Sequence, residues 1–75
     1  MSVKSKMTSE RLGQEVKSRR KQLGMNQAEL AMVSGTGVRF ISDLENGKTS
    51  CELGKTLSVL ANLGLEVQIT TRSGG

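Results

Sequence analysis

The amino-acid sequence predicts an all-α domain of about four short helices, followed by a single β-strand at its C-terminal end. Two patterns predict this fold class. Between Ser9 and Gly64 the apolar residues recur at spacings of three and four, the period of an α-helix, with glycine-containing breaks in between. From Leu65 the apolar residues alternate with polar ones, the period of a strand with one buried face. The 75 residues accommodate one small domain.

The first helix begins near Ser9, and Gly24 is placed to end it in the left-handed conformation. Its apolar stripe consists of Leu12, Val16 and Leu23. Arg19 and Arg20 stand where this stripe predicts another apolar residue. A guanidinium at the edge of a core needs a carboxylate partner, or it remains a costly unpaired charge. We therefore expect an acidic residue from elsewhere in the chain to lie beside it.

Two shorter helices follow, separated by a tight turn. Asn26 is a good N-cap, and Glu29 completes a capping-box variant that predicts the start of the second helix. The run Ser34-Gly35-Thr36-Gly37 breaks that helix. The third helix begins at the end of this run, near Thr36 or Gly37, and ends at Glu45. Its expected buried residues are Ile41 and Leu44.

The fourth helix is predicted from a second capping sequence, in which Thr49 is followed three residues later by Glu52. Gly64 ends this helix. Its apolar residues recur at spacings of three and four and are Leu53, Leu57, Leu60 and Leu63.

Residues 65–71 are predicted to form a lone strand whose apolar residues are Leu65, Val67 and Ile69. A single strand leaves its backbone donors and acceptors unpaired, and the chain has no second strand pattern. We therefore expect this strand to pair with the same strand of a second copy across a two-fold axis. The alternative is that residues 65–71 pack on the helices as an extended tail.

These elements divide the chain into four segments. Residues 1–8 are expected to form a flexible basic arm, and residues 9–64 the helical domain. Residues 65–71 are the predicted dimerisation strand, and residues 72–75 a flexible tail. The alternative for the arm is a terminal segment without a role.

The composition excludes several classes of function. The chain has no histidine, one cysteine and one aromatic residue. Without histidine, neither a Ser-His nor a Cys-His catalytic pair can form, and the usual zinc ligand sets cannot be assembled. We therefore expect no enzymatic activity, cofactor, metal or small-molecule ligand. No apolar run reaches 18 residues and no signal-peptide pattern opens the chain, so no membrane partner is expected.

The charge of the chain is positive and unevenly distributed. Its formal net charge is +4, with seven bases and two acids in residues 1–25 and four bases and five acids afterwards. A clustered basic run is typical of a protein that binds a polyanion. The alternative is that this run is a solvated helix face whose cations stabilise the C-terminal end of their own helix.

The stretch from residue 27 to residue 47 carries the functional prediction. Two short helices joined by a glycine-containing turn are typical of a helix-turn-helix, whose second helix enters the major groove of DNA. Arg39, Ser42 and Asn46 share the stripe opposite the buried residues, and arginine suits bidentate contact with guanine. Val38 can touch a thymine methyl group. The residues predicted to contact DNA are Gln27, Thr36, Gly37, Val38, Arg39, Ser42, Asn46 and Lys48.

Several of these residues have a second interpretation. Arg39 and Asp43 are four positions apart on one helix, so Arg39 can equally be a surface ion-pair partner. Asp43 would repel phosphate, and we assign it to orienting Arg39 or accepting from cytosine. Gln27 and Lys48 are assigned to phosphate contacts, although a loop lysine commonly faces solvent. Phe40 is expected to pack at the domain edge.

Two motifs stand out in this stretch, Gln27-x-x-Leu30-Ala31-x-x-x-Gly35 and Ile41-Ser42-x-x-Glu45-x-Gly47. With them, roughly residues 12–64 resemble the lambda-repressor-like (XRE) helix-turn-helix family. The resemblance implies that Arg20, late in the first helix, forms a structural ion pair with Glu45 at the end of the recognition helix. Gly37 and Val38 depart from the family pattern, in which many members carry a polar residue, so more weight falls on Arg39 and Ser42.

A narrower resemblance rests on the run from Gly37 to Lys48, the leucine-rich helix after it and the terminal sequence LEVQIT. These features resemble HipB-type antitoxins of type II toxin–antitoxin operons. The resemblance implies a two-fold dimer with paired C-terminal strands and binding to operator DNA that represses its own operon. It also implies capture of a HipA-like Ser/Thr kinase toxin.

The sequence therefore predicts a homodimeric repressor that binds palindromic double-stranded operator DNA, in the bacterial cytoplasm and associated with the nucleoid. Its predicted biological role is that of a HipB-like antitoxin. One alternative is a stand-alone repressor of phage or restriction-control type without a toxin partner. Another is an adaptor that uses the same fold for protein contacts and does not bind DNA.

Overall fold

The computed structural model describes residues 6–71, and these residues form four α-helices. The helices are α1 (Ser9–Gln22), α2 (Gln27–Ser34), α3 (Val38–Glu45) and α4 (Leu53–Asn62). The predicted fold class and the order of the helices are confirmed. The first five residues of the predicted arm and the predicted tail, 72–75, lie outside the described residues.

The helix ends follow the local sequence signals in the first half of the chain. Thr8 caps α1 by accepting a hydrogen bond from the backbone N–H of Arg11 at 3.0 Å. Asn26 and Glu29 form both bonds of the predicted capping box, each 2.8 Å long. The left-handed residue expected after α1 is present at Gly24, with φ of +73°.

The predicted capping sequence of the fourth helix is wrong. Thr49 lies in a turn, α4 begins at Leu53, and Glu52 is the N-cap residue without a side-chain capping bond. The backbone is still extended at Glu52, so Glu52 and not Thr49 occupies the N-cap position. Thr56 instead donates its hydroxyl to the Glu52 carbonyl at 2.9 Å within the first turn.

The core lies where α3 packs between α1 and α2 and where α4 packs on α2. Its buried residues come from all four helices and the C-cap of α4, and they are Val16, Leu30, Ala31, Ile41, Leu44, Val59, Leu60 and Leu63. Because α1 and α2 each bury a face of α3, that helix is held on two sides while its remaining face stays open.

The apolar stripe predicted for α4 is only half correct. Leu60 and Leu63 are buried, but Leu53 is 69% exposed and Leu57 is also exposed. The buried face of α4 instead includes Thr56 and Val59, because packing against α2 selects the neighbouring face of the helix. The displaced leucines line an open apolar groove of about 400 Å³ together with Met7, Leu12, Leu65 and Val67.

Residues 65–71 follow Gly64, whose φ of +73° ends α4, and Leu65 returns its N–H to the Leu60 carbonyl at 2.9 Å. Leu65 packs against the core, whereas Val67 is exposed and Ile69 is 93% exposed. Within residues 6–71 this segment forms no strand, so the predicted strand is not present in the single chain. Its pairing with a second copy stays a prediction. None of the helices of residues 6–71 is long and apolar enough to cross a membrane.

Candidate nucleic-acid interface

The turn between α2 and α3 is short and is held by backbone bonds. Gly35 ends α2 with φ of +71°, and the Thr36 N–H bonds to the Ala31 carbonyl at 2.9 Å. Gly37 is the N-cap residue of α3, with extended backbone. The Ser58 hydroxyl donates to the Ser34 carbonyl at 3.1 Å, which ties the end of α2 to α4. Two helices of eight residues each are thereby joined with little freedom between them.

The two faces of α3 have opposite chemistry. Ile41 and Leu44 are buried, as the sequence predicted, whereas Val38 is exposed and the Arg39 side chain is 93% exposed. Because the buried face is fixed in the core, the outer face points away from the domain as one rigid surface. An outer helix face of this kind is the part of a helix-turn-helix that can enter a major groove.

The residues predicted to contact DNA are not all equally accessible. Gly37 and Val38 are exposed at the start of α3, and Asn46 and Lys48 are exposed just beyond its end. Thr36, Ser42 and Gln27 are half-buried. Arg39 and Ser42 therefore lie in the middle of the outer face, with exposed groups before and after them.

Asp43 lies between two cations on this face. Its Oδ1 is 4.0 Å from Arg39 Nε, and its Oδ2 is 3.5 Å from Lys48 Nζ. The Asp43 side chain is 30% exposed, so it is more covered than either cation. The ion pair that the spacing of Arg39 and Asp43 suggested is present, and Lys48 shares the same carboxylate.

An internal ion pair joins α1 to the end of α3. Arg20 Nε donates to Glu45 Oε2 at 2.6 Å, and Nη2 donates to Oε1 at 3.0 Å. Arg20 Nη1 also donates to the Met25 carbonyl at 2.8 Å. Both side chains are buried, so neither is presented to a ligand. The pair accounts for the charged residue in the apolar stripe of α1.

Gln27 extends this cluster toward the surface. Its Nε2 donates to Glu45 Oε1 at 3.1 Å, so the amide at the start of α2 is oriented by the buried carboxylate. A primary amide has a second N–H and a carbonyl oxygen to offer. Gln27 is therefore the one predicted phosphate contact that is held by an internal hydrogen bond to Glu45.

Opposing effects determine the charge state of Glu45. Burial raises the pKa of its carboxyl. Hydrogen bonds from Arg20 and Gln27 and the positive charges of Arg20 and Lys17 lower this pKa, and together they outweigh the effect of burial. The pKa of Glu45 therefore lies below its ordinary value. The hydrogen bond to Glu45 raises the pKa of Arg20 more than burial lowers it, so the pair is held in its charged form.

Two structural residues were not identified from the sequence. Arg19 Nε donates to the Leu63 carbonyl at 2.8 Å and so caps the C-terminal end of α4. Gly13 lies where α1 crosses α3, and a Cβ there would be 2.7 Å from the Glu45 carbonyl oxygen. Gly13 interrupts a helical pattern in the sequence, and this was the signal that could have identified its close contact with α3.

Comparison with known proteins agrees with this geometry. The sequence profile of the helix-turn-helix family matches residues 16–53. A relative from Sinorhizobium fredii, named as an uncharacterized HTH-type transcriptional regulator (y4mF), is 47% identical over 58 residues, covering 77% of this chain and 76% of the relative.

Two solved structures that contain HipB superpose on most of the chain. A HipB–O4 20mer complex has a TM-score of 0.79 at 26% identity, covering 92% of this chain and 97% of that chain. A HipA–HipB–O2–O3 complex has a TM-score of 0.80 at 26% identity, with the same coverage. The chain therefore belongs to the XRE-type helix-turn-helix family of transcriptional regulators and has a HipB-like fold.

Proposed function

We propose that this protein is a sequence-specific repressor that binds palindromic operator DNA as a homodimer. The observation that carries the proposal is the outer face of α3, where Arg39 projects almost fully exposed from a helix buried on its other side. Arginine presented in this way suits the O6 and N7 acceptors of guanine in the major groove. The HipB complexes among the similar structures support DNA as the partner.

The other predicted residues divide between bases and backbone. Val38 is exposed at the first turn of α3, where it can contact a thymine methyl group, and Ser42 offers a hydroxyl one turn after Arg39. The phosphate contacts would come from Gln27 and Lys48 on either side. The remaining contacts are assigned to Thr36, Gly37 and Asn46.

We further propose that the protein acts as a HipB-like antitoxin that neutralises a HipA-like Ser/Thr kinase toxin and represses its own operon. The support is the superposition on HipB in a complex that also contains HipA. In this role the protein works in the bacterial cytoplasm, associated with the nucleoid.

The DNA proposal is tested by selecting bound sequences from a pool of random duplexes and then comparing variants on the selected site. Arg39→Ala should cost roughly 1–3 kcal/mol on the selected site and little on a scrambled duplex. Arg11→Ala, an exposed arginine on α1, is the control for loss of one positive charge. Equal losses on both duplexes would exclude a base-reading role for Arg39.

The geometry of the selected site is a separate check. A two-fold helix-turn-helix dimer places its recognition helices about one helical turn of DNA apart, roughly 34–36 Å. The selection should therefore return two inverted half-sites at that spacing. A single half-site without symmetry would contradict the dimeric mode of binding.

The antitoxin proposal is tested by affinity purification from the native host, scoring co-purified protein and DNA together. A kinase recovered with the protein supports the antitoxin role. Operator DNA recovered without a kinase supports a stand-alone repressor of phage or restriction-control type. Weak, salt-independent DNA binding with neither recovered would favour the adaptor function.

A further inference from the structure

The outer face of α3 carries an acidic group beside the two cations that the proposed function assigns to DNA. Asp43 is the only acidic residue whose carboxylate lies beside Arg39 and Lys48 within residues 6–71. The three side chains together carry a net charge of about +1 where two free cations would carry +2. This arrangement weakens the attraction of the face for any phosphate backbone.

The two oxygens of Asp43 engage different cations. Oδ1 faces Arg39 Nε at 4.0 Å, and Oδ2 faces Lys48 Nζ at 3.5 Å. A contact on the Nε side of the guanidinium leaves both terminal nitrogens free to donate. Asp43 thus offsets part of the positive charge of Arg39 without occupying the terminal donors that would bond to guanine, and it competes with phosphate for Lys48.

The consequences differ between cognate and non-cognate DNA. Non-specific binding depends on phosphate contacts and counterion release, so a carboxylate beside two cations lowers it directly. On a cognate site, guanine supplies two acceptors to the terminal nitrogens of Arg39, and this gain offsets the repulsion. The carboxylate repels the phosphates of every DNA sequence, but only the cognate sequence compensates this repulsion. Such a repulsion raises specificity.

We propose that Asp43 is a specificity-determining residue that discriminates against non-specific DNA by sharing its carboxylate between Arg39 and Lys48. The inference rests on the proposed DNA-binding function and adds the basis of its selectivity. Discrimination against non-specific DNA is a role that neither the exposed arginine nor the basic charge of the chain provides.

The test uses the full chain and two fluorescent duplexes of equal length, the site selected by the wild-type protein and a scrambled version. Asp43→Asn keeps the shape of the side chain and removes its charge. On the scrambled duplex, Asp43→Asn should lower the dissociation constant about two- to fivefold, the effect of one exposed charge pair. The slope of log affinity against log salt should steepen by about 0.9, equivalent to one additional phosphate contact.

The same variant should gain less affinity for the selected duplex than for the scrambled one. The ratio of the affinity for the selected duplex to that for the scrambled duplex therefore falls. A second random selection with Asp43→Asn should return a weaker guanine preference at the position read by Arg39. Asp43→Ser, which also lacks the charge, should reproduce both effects, which guards against an effect peculiar to asparagine.

Two controls separate this mechanism from a general change in charge. Glu15→Gln makes the same change on the exposed surface of α1, beside α4 and residues 65–68, and should leave the affinity ratio unchanged. In the Lys48→Met background, Asp43→Asn should gain less affinity for scrambled DNA, because the lysine that the substitution would release from Asp43 is missing.

The outcomes distinguish the two levels of the proposal. If the wild-type chain selects no sequence, the DNA-binding function fails and the role of Asp43 fails with it. If the wild-type chain selects a site but Asp43→Asn leaves the affinity ratio and the guanine preference unchanged, only the role of Asp43 is overturned. The role of Asp43 is also overturned, with DNA binding intact, if Glu15→Gln lowers the ratio as much as Asp43→Asn does.

Discussion

Arg20 and Glu45 join the last turn of α1 to the last residue of α3 through a buried two-point ion pair, with distances of 2.6 Å and 3.0 Å. The same carboxylate accepts from Gln27 at the start of α2. One buried group therefore connects three helices and fixes α3 relative to the other two. The packing of the domain and the orientation of the outer face of α3 thus involve the same contact.

Removing the charge of Glu45 should strongly destabilise the fold. Glu45→Gln leaves the Arg20 guanidinium buried without its counter-charge, and the expected loss of unfolding free energy is about 3–5 kcal/mol. Urea denaturation followed by circular dichroism measures it.

The control for Glu45→Gln is Glu52→Gln, since the Glu52–Lys55 pair is exposed and 4.0 Å long. That change should cost no more than about 0.5 kcal/mol. Similar losses for the two variants would show that burial of the Arg20–Glu45 pair has no special energetic role.

The pH dependence of stability should follow from Glu45 in a defined direction. Its pKa in the folded protein lies below the ordinary glutamate value, so folding favours the charged carboxylate. This contribution is fully present above the ordinary value and is lost as the pH falls through the lower folded pKa. The urea midpoint should therefore decrease below about pH 4.5, the ordinary pKa of the group.

The Glu45→Gln variant serves as the reference for this measurement, because it has no group to titrate at that position. Its midpoint should change less over the same acidic range than that of the wild-type chain. Parallel acid profiles for the two proteins would assign the acid sensitivity to other carboxylates.

Gly13→Ala should destabilise the protein although alanine favours helices. A Cβ at this position would clash with the carbonyl oxygens of Leu44 and Glu45, which are backbone atoms that cannot move aside cheaply. The expected loss is about 1–3 kcal/mol, as for overpacking in a core. Thermal unfolding followed by circular dichroism checks it.

Gly54 provides the matched glycine in α4. A Cβ there would meet only the flexible end of Glu52, at 3.1 Å. Gly54→Ala should therefore be neutral or stabilise the protein by up to about 1 kcal/mol. If both alanine variants were stabilised alike, the close approach of α1 to α3 would not limit the residue at position 13.

Truncation after Leu65 should convert a dimer into a monomer without unfolding the helices. It removes exposed Val67 and Ile69 but keeps the Leu65 contact with the core and its bond to Leu60. Sedimentation equilibrium measures the association state, and far-ultraviolet circular dichroism the helix content. The control is a full-length chain with Glu66→Ala and Gln68→Ala, which alters the opposite face of the predicted strand. A truncated chain that sediments as the same dimer would contradict pairing through this segment.

Local signals in the sequence were sufficient for the order of the four helices, the glycine turn and the two faces of α3. Each depends on residues within a few positions of one another: the period of apolar side chains, the Asn26–Glu29 capping box, or a glycine with positive φ. The same signals failed at α4, where Thr49 and Glu52 matched a capping pattern but the helix began later. There the backbone stays extended as far as Glu52, and Cys51 just before it packs against the core.

The sequence by itself determined that a basic, histidine-free chain forms a four-helix domain and presents Arg39 on one face of its third helix. The resemblance to a known family added the Arg20–Glu45 pair. Only the tertiary structure decided that Arg19 caps α4 and that Gly13 allows the close approach of α1 to α3. It also decided that Leu53 and Leu57 stay exposed and that Asp43 pairs with Lys48 as well as Arg39. Most of these contacts join residues far apart in the chain, and all of them depend on how helices meet in space, which periodicity along one helix does not specify.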